Sequence, residues 1–201
     1  MSRRQTPRPS SLQRRRAIIE AALSCFSELG YDRTSVADIR ARSGASTGSV
    51  YHHFGGKEQL AAAVYLEGIS VYQAGYLEVL ERCEEARRGV LAMVRYHLRW
   101  VRENPDWARY LFQHRHADFM ADDKAQLHAL NQRFVDQLRA WFAPHVKAGR
   151  IRRLPREVYP SLIWGPSQDL ARQWLSGRLT TDLDTAARAI AEATWRSLAG
   201  E

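Results

Sequence analysis

Cysteine is scarce: Cys25 and Cys83 stand far apart in a chain of 201 residues and in no metal-type spacing. That excludes a disulfide framework, fits a reducing compartment and leaves both thiols to fill core space as small hydrophobes. Apolar runs are short, well under the ~20 residues that cross a bilayer. The leading MSRRQTPRPSS has no apolar stretch behind its arginines to serve as a signal region. No membrane partner is expected, and the reading is of a cytoplasmic protein. Alternating strand patterns and internal repeats are missing, so the fold class expected is all-α. Also missing are a phosphate-cradling glycine loop, a His-Glu-x-x-His helix, a nucleophile elbow and well-placed paired carboxylates. An enzyme on a helical core therefore has no motif to stand on, and no cofactor is implied.

What the chain does have is positive charge, unevenly placed. Of a total of +8, residues 1–57 hold ten Lys and Arg against four acids, a balance of +6, and the remaining chain carries only +2. Charge gathered in one stretch of an otherwise ordinary globular composition is the footprint of a polyanion binder. Residues 1–11, with Pro7, Pro9, four Ser or Thr and Arg3, Arg4 and Arg8, read as a disordered basic arm, suited to a minor groove or to loose charge attraction.

The basic stretch ends in SVADIRARSGASTGSVYHHFGGK, residues 35–57. Ser35 followed three residues later by Asp38 is a capping-box-like helix start. Gly44 accepts the positive φ of a sharp turn between helices, and Ser46 caps the next one. That second helix, Thr47 to His53, is too short to stand alone, because isolated helices under about 12 residues are marginal. Neighbours must hold it, and Val50 and Phe54, one turn apart, are the residues to do so. Thr47, Gly48, Ser49, Tyr51, His52 and His53 then face outward. A Thr-Gly-Ser opening turn approaches a surface closely and offers hydroxyls and free amides to base edges and phosphates.

These residues resemble the DNA-binding head of the tetracycline-repressor (TetR) family of bacterial regulators. The family pattern appears as Val36-Ala37, Gly44-Ala45-Ser46, Gly48 through Phe54 and Lys57-Glu58-Gln59-Leu60, within a match of about 50 residues from Arg14 to Val64. Carried over by position, the resemblance implies Thr47, Gly48, Ser49 and His52 at base edges. It places Ser35, Ser46, Tyr51, His53 and Lys57 on phosphates, which position the protein without specifying sequence. Arg40 and Arg42 are individual to this chain, and each is either a phosphate contact or a solvated arginine. Gly55-Gly56 departs from the usual pattern before Lys57.

About nine helices in two parts are expected, with a helix-turn-helix domain over residues 12–56 and a ligand-binding and dimerisation domain over 57–201. Pro166, after Trp164 and Gly165, is expected to kink its helix. The resemblance implies a small-molecule effector cavity in the second part. Aromatic candidates for its lining are Tyr96, Trp100, Trp107, Tyr110, Phe134 and Trp164, each of which is equally a core residue. His114 and His116, two apart, cannot share a helix face, so no metal site is expected. The last two helices mix large anchors with small residues, which suits close helix packing, and the resemblance implies that they pair with their copies in a four-helix homodimer interface. Leu162, Ile163, Leu170, Trp174, Ile190, Ala193 and Trp195 are its candidate residues.

The function implied is a ligand-released repressor that binds a palindromic double-stranded DNA operator as a homodimer. Competing readings are an activator or a regulator controlled by a protein partner, both built from the same parts, and an architectural DNA protein indifferent to sequence.

Overall fold

The computed structural model describes residues 10–114 and 118–200. The arginines of the basic arm and His116 lie outside the described residues. Within them run nine α-helices: α1 (Ser11–Leu29), α2 (Val36–Ser43), α3 (Thr47–Phe54), α4 (Lys57–Glu81), α5 (Ala86–Glu103), α6 (Pro105–Gln113), α7 (Lys124–Lys147), α8 (Val158–Leu175) and α9 (Leu183–Leu198). A single 3-10 turn, Asp118–Met120, and one isolated antiparallel bridge, Ile151 to Ala199, complete the regular structure among the described residues. No helix is long and apolar enough to cross a membrane among the described residues.

The described residues form two compact units. The first runs to Gly68 and takes in Arg109–Asp123 as well. Its frame is α1, which opens on a capping box in which the Ser10 hydroxyl accepts the Gln13 N–H and the Gln13 side chain accepts the Ser10 N–H. Ile18, Ile19, Ala22, Leu23 and Phe26 line its buried face. Phe26 stacks on Tyr110, with ring centroids 5.7 Å apart, and Tyr31, His114 and Phe119 close the cluster. The Tyr110 hydroxyl donates to the Ala61 carbonyl at 2.9 Å, which ties this segment to the first turns of α4.

The second unit comprises Ile69–Ala108 and the chain from Lys124 onward. At its centre lies α5, which packs against α8 and α9 while those two pack on each other. Arg87 reaches Glu192 at 2.7 Å and Arg102 reaches both oxygens of Asp184 at 2.8 and 2.9 Å. These exposed pairs fix register more than they add stability. Two glycines let rings come close to backbone. A Cβ on Gly75 would stand 2.4 Å from the Tyr96 hydroxyl, and one on Gly89 would stand 2.1 Å from the Trp141 ring.

Helix α8 runs on through Pro166, where the expected kink would fall. The buried Ser167 hydroxyl lies 3.0 Å from the Ile163 carbonyl and 3.1 Å from that of Trp164. It supplies donor capacity beside the proline, which has no N–H of its own.

Candidate nucleic-acid interface

The outward face of α3 is built by its inward one. Val50 is 0% exposed and Phe54 is buried, so the eight-residue helix is held by two side chains one turn apart. The Ser46 hydroxyl accepts the Ser49 N–H at 3.1 Å and caps the helix. Gly44, at φ +67°, makes the left-handed turn between α2 and α3, and Gly55, at φ +81°, ends α3 by donating its N–H to the Tyr51 carbonyl.

With that geometry Thr47, Gly48, Tyr51 and His52 are exposed, while Ser49 and His53 are half-buried. Tyr51 is 51% exposed, and its hydroxyl has no partner among the described residues. Small residues at the helix start and a ring with a free hydroxyl one turn on form a surface that offers donors and has no carboxylate of its own. It suits a groove lined by phosphates.

Other residues from the sequence reading have work inside the unit. Ser35 donates its hydroxyl to Asp38 at 2.6 Å and accepts the Asp38 N–H at 3.2 Å, while its own N–H meets the same carboxylate at 2.8 Å. These bonds hold the Asp38 carboxyl below its usual range. The Ser35 hydroxyl proton is thus spent on the cap and is not offered to a phosphate in this state. The Lys57 ammonium donates to the carbonyls of Tyr31 at 3.1 Å and Asp32 at 3.3 Å and stands 4.6 Å over the Tyr31 ring. It braces the turn after α1 and keeps one N–H free.

Arg42 is also engaged inside the unit. Its guanidinium grips both oxygens of Glu28, at 2.8 and 2.6 Å, and also donates to the Ser24 hydroxyl, so it staples α2 to α1. That pairing lowers the Glu28 carboxyl and raises the Arg42 guanidinium. Arg40, in the same last turn, is exposed and has no acidic partner among the described residues. Of the two arginines individual to this chain, the unpaired cation is therefore Arg40. Nothing in the sequence separates them, because the deciding residue, Glu28, lies on another helix. Arg15 likewise turns inward, 5.5 Å over the Phe54 ring and 3.4 Å from Glu67.

The aromatic residues offered as a cavity lining are divided among different surroundings, and no two of them line the same one of the cavities described. Tyr96, Trp100 and Phe134 are buried in a packed cluster with Tyr72 and Tyr76, whose centroid separations run from 5.1 to 5.8 Å. Tyr110 belongs to the cluster of the first unit, and Trp107 lines none of the cavities described. The reason is shape. Flat rings at helical spacing interleave into a closed core when neighbouring helices can meet them edge to face. Trp164 alone of the six lines the large cavity, about 980 Å³ between α7 and α8. Aliphatic residues of α7 that the sequence reading passed over, Val135, Leu138 and Val146, form the rest of its wall.

Inside the cluster the Trp164 ring N–H donates to the Tyr72 hydroxyl at 3.2 Å, and that hydroxyl shares a hydrogen bond of 3.0 Å with Nδ1 of His97. Burial holds its pKa down to about 4, so the ring is neutral at pH 7.

On α8 and α9, Ile163 and Leu170 are buried in the unit's own core, while Leu162, Trp174, Ile190, Ala193 and Trp195 remain half-exposed.

Residues 18–64 match the family model described as bacterial regulatory proteins, tetR family. The chain is 37% identical over 71 residues to the HTH-type transcriptional repressor AcnR of Corynebacterium efficiens, a match spanning 33% of this chain and 38% of that one. It is 35% identical over 63 residues to the A-factor receptor protein of Streptomyces griseus, covering 31% of this chain and 23% of the receptor. The chain thus spans well under half the length of these curated relatives, and the shared part is the DNA-binding head. Among solved structures, a TetR family transcription regulator from Marinobacter aquaeolei superposes with a TM-score of 0.80 over 94% of this chain and 96% of that one, at 22% identity. FadR from Bacillus subtilis, solved in complex with stearoyl-CoA, gives 0.76 over 89% and 96%, at 17% identity. Residues 18–64 thus match the DNA-binding head of the tetR family of bacterial regulatory proteins, and the nine helices among the described residues share the fold of solved regulators of that family.

Proposed function

We propose that the chain is a transcriptional repressor that binds a palindromic operator as a homodimer and is released by a small-molecule effector. The observation that carries this reading is α3: eight residues pinned by Val50 and Phe54, with Thr47, Gly48, Tyr51 and His52 turned to solvent. Thr47, Gly48, Ser49 and His52 read base edges. Tyr51, Ser46, His53 and the free N–H of Lys57 meet phosphates, with Arg40 beside them. The curated relatives named as repressors share this head.

One reading helix of this length discriminates poorly, and two held about 34 Å apart read a two-fold symmetric site. The half-exposed apolar residues of α8 and α9 supply a surface for that pairing, centred on Trp174, Ile190 and Trp195. The α7–α8 cavity, within the range of about 300–1,000 Å³ typical of ligand sites, is the place for an effector. An effector that favours one dimer state over another lowers operator affinity by the coupling between the two, commonly about 1–3 kcal/mol.

The test is selection of binding sites from random duplexes, with the mass of the complex measured alongside. A palindromic consensus bound by two copies is expected, and Thr47→Ala should return a changed consensus. Recovery of no consensus, or of one unchanged by Thr47→Ala, would refute the assignment.

A further inference from the structure

The α7–α8 cavity combines two different surfaces. Its walls are apolar, with Val135, Leu138, Phe142 and Val146 from α7 facing Ile163 and Trp164 from α8. Its rim is the connection between these helices, where residues 147–157 carry five basic side chains against the single acid Glu157. The chain beyond Lys57 has a balance of only +2, so this rim is a local excess in a nearly neutral region.

The rim is fixed in place. The Tyr159 hydroxyl accepts the Leu154 N–H at 3.1 Å and donates to the Arg152 carbonyl at 2.9 Å. The same segment is pinned to the end of α9 by Arg152 N–H to Leu198 carbonyl at 2.9 Å and Gly200 N–H to Arg150 carbonyl at 3.1 Å. These bonds sort the cations. Arg152 points to the Ala199 carbonyl and Arg150 to His145, while Arg139 pairs with Asp136 at 3.1 Å and Arg156 with Glu157 at 2.6 Å. Lys147 and Arg153, both at the cavity, have no acidic partner among the described residues.

We propose that this cavity binds a soluble anionic amphiphile, a molecule with an extended apolar body and one carboxylate or phosphate held by Lys147 and Arg153. The proposal rests on the effector reading above and adds the chemical class. A neutral apolar ligand would leave two cations at the rim without use. A polyanion would find walls that cannot replace the water it gives up. A carboxylate or phosphate at the rim meets a planar guanidinium and an ammonium, the donors best matched to it, while its chain removes the apolar walls from water.

The experiment is calorimetric titration of the full chain with decanoate, 1-decanol, butyrate and phosphatidylglycerol vesicles. Decanoate should bind more tightly than decanol, butyrate should not bind, and vesicles should neither bind nor compete. The double variant Lys147→Gln, Arg153→Gln should weaken decanoate about three- to tenfold, two exposed charge pairs at their usual strength, and leave decanol within about twofold. Ala143→Trp, at an exposed position that fills the groove, should abolish both, with a circular-dichroism melt confirming that each variant is folded. Equal affinity for decanoate and decanol, no effect of the double variant, or capture by vesicles instead of monomer overturns the proposal. Operator binding measured on the same samples separates the two readings. Decanoate that binds in this way without moving operator affinity sinks ligand release and leaves the site standing. Release by some other compound while decanoate fails to bind does the opposite.

Discussion

Removing one oxygen from Tyr51 isolates the DNA-facing surface from the fold beneath it. The Tyr51 ring stands 51% exposed, and its hydroxyl meets no group among the described residues. Tyr51→Phe therefore takes nothing from the unbound protein, and its unfolding free energy should stay within about 0.5 kcal/mol of the parent, as for surface changes that break no contact. On the proposed reading, the hydroxyl donates to a phosphate of the bound DNA. A hydrogen bond to a charged group contributes about 1.5–3 kcal/mol, which is roughly 10- to 150-fold in affinity for each head engaged. Since a phosphate carries no base identity, the same factor should appear on operator and on random duplex. The measurement is fluorescence anisotropy at one fixed salt concentration with both duplexes, beside urea unfolding of the free protein. Loss on the operator alone would move Tyr51 to a base edge. Loss of stability equal to the loss of binding would show that the ring supports α3 from within, against its exposed placement.

Other expectations follow from single contacts. Arg42→Ala should change operator affinity less than Tyr51→Phe does, because its guanidinium is already engaged by Glu28, whereas Arg40→Ala should weaken binding and reduce its salt dependence; salt titrations of both variants decide this. His97, with a pKa near 4 when folded and about 6.5 when unfolded, contributes stability that is complete above pH 6.5 and lost as pH falls toward 4, on the order of 3 kcal/mol in all. Urea unfolding at pH 7 and pH 4.5 should show that loss, and His97→Gln should remove most of it. Gly75→Ala should destabilise the second unit by about 1–3 kcal/mol through overpacking, despite the better helix propensity of alanine. Adding Tyr96→Phe removes the oxygen 2.4 Å from the new Cβ, so a double-mutant cycle should show the pair coupled, with the second change recovering part of the first.

Helix ends were the most legible part of this chain, because caps are local chemistry. Ser35 with Asp38, Gly30, Gly44 and Asp182 each mark a boundary that falls where the residue type requires it. The start of α8 was less legible: Pro155 reads as an opening residue, but the helix begins at Val158, after a turn in which the Val158 N–H meets the Pro155 carbonyl. What no local pattern shows is partnership at long range. Arg109–Asp123 joins the first unit through Tyr110, whose ring meets Phe26 and whose hydroxyl meets Ala61, and neither partner is within 45 positions of it. Gly75 looks like a weak point in α4 until Tyr96 is seen to occupy the space beside it.

The same distinction separates the two functional surfaces. The residues proposed to face DNA lie within one short stretch, so spacing alone sorts Val50 and Phe54 inward and Thr47, Tyr51 and His52 outward. The cavity is assembled from α7 and α8, and each of its walls, taken singly, reads as an ordinary buried face. Aromatic content was a poor guide to it because rings that interlock exclude space, while branched aliphatics on two helices spread by a pinned connection enclose it. The basic run RIRR, residues 150–153, reads in sequence only as the end of a helix, where cations are favoured by the helix dipole. Which of its arginines are already engaged is supplied only by three-dimensional contacts: Arg150 and Arg152 turn to His145 and Ala199, while Arg153, at the cavity wall, has no acidic partner among the described residues.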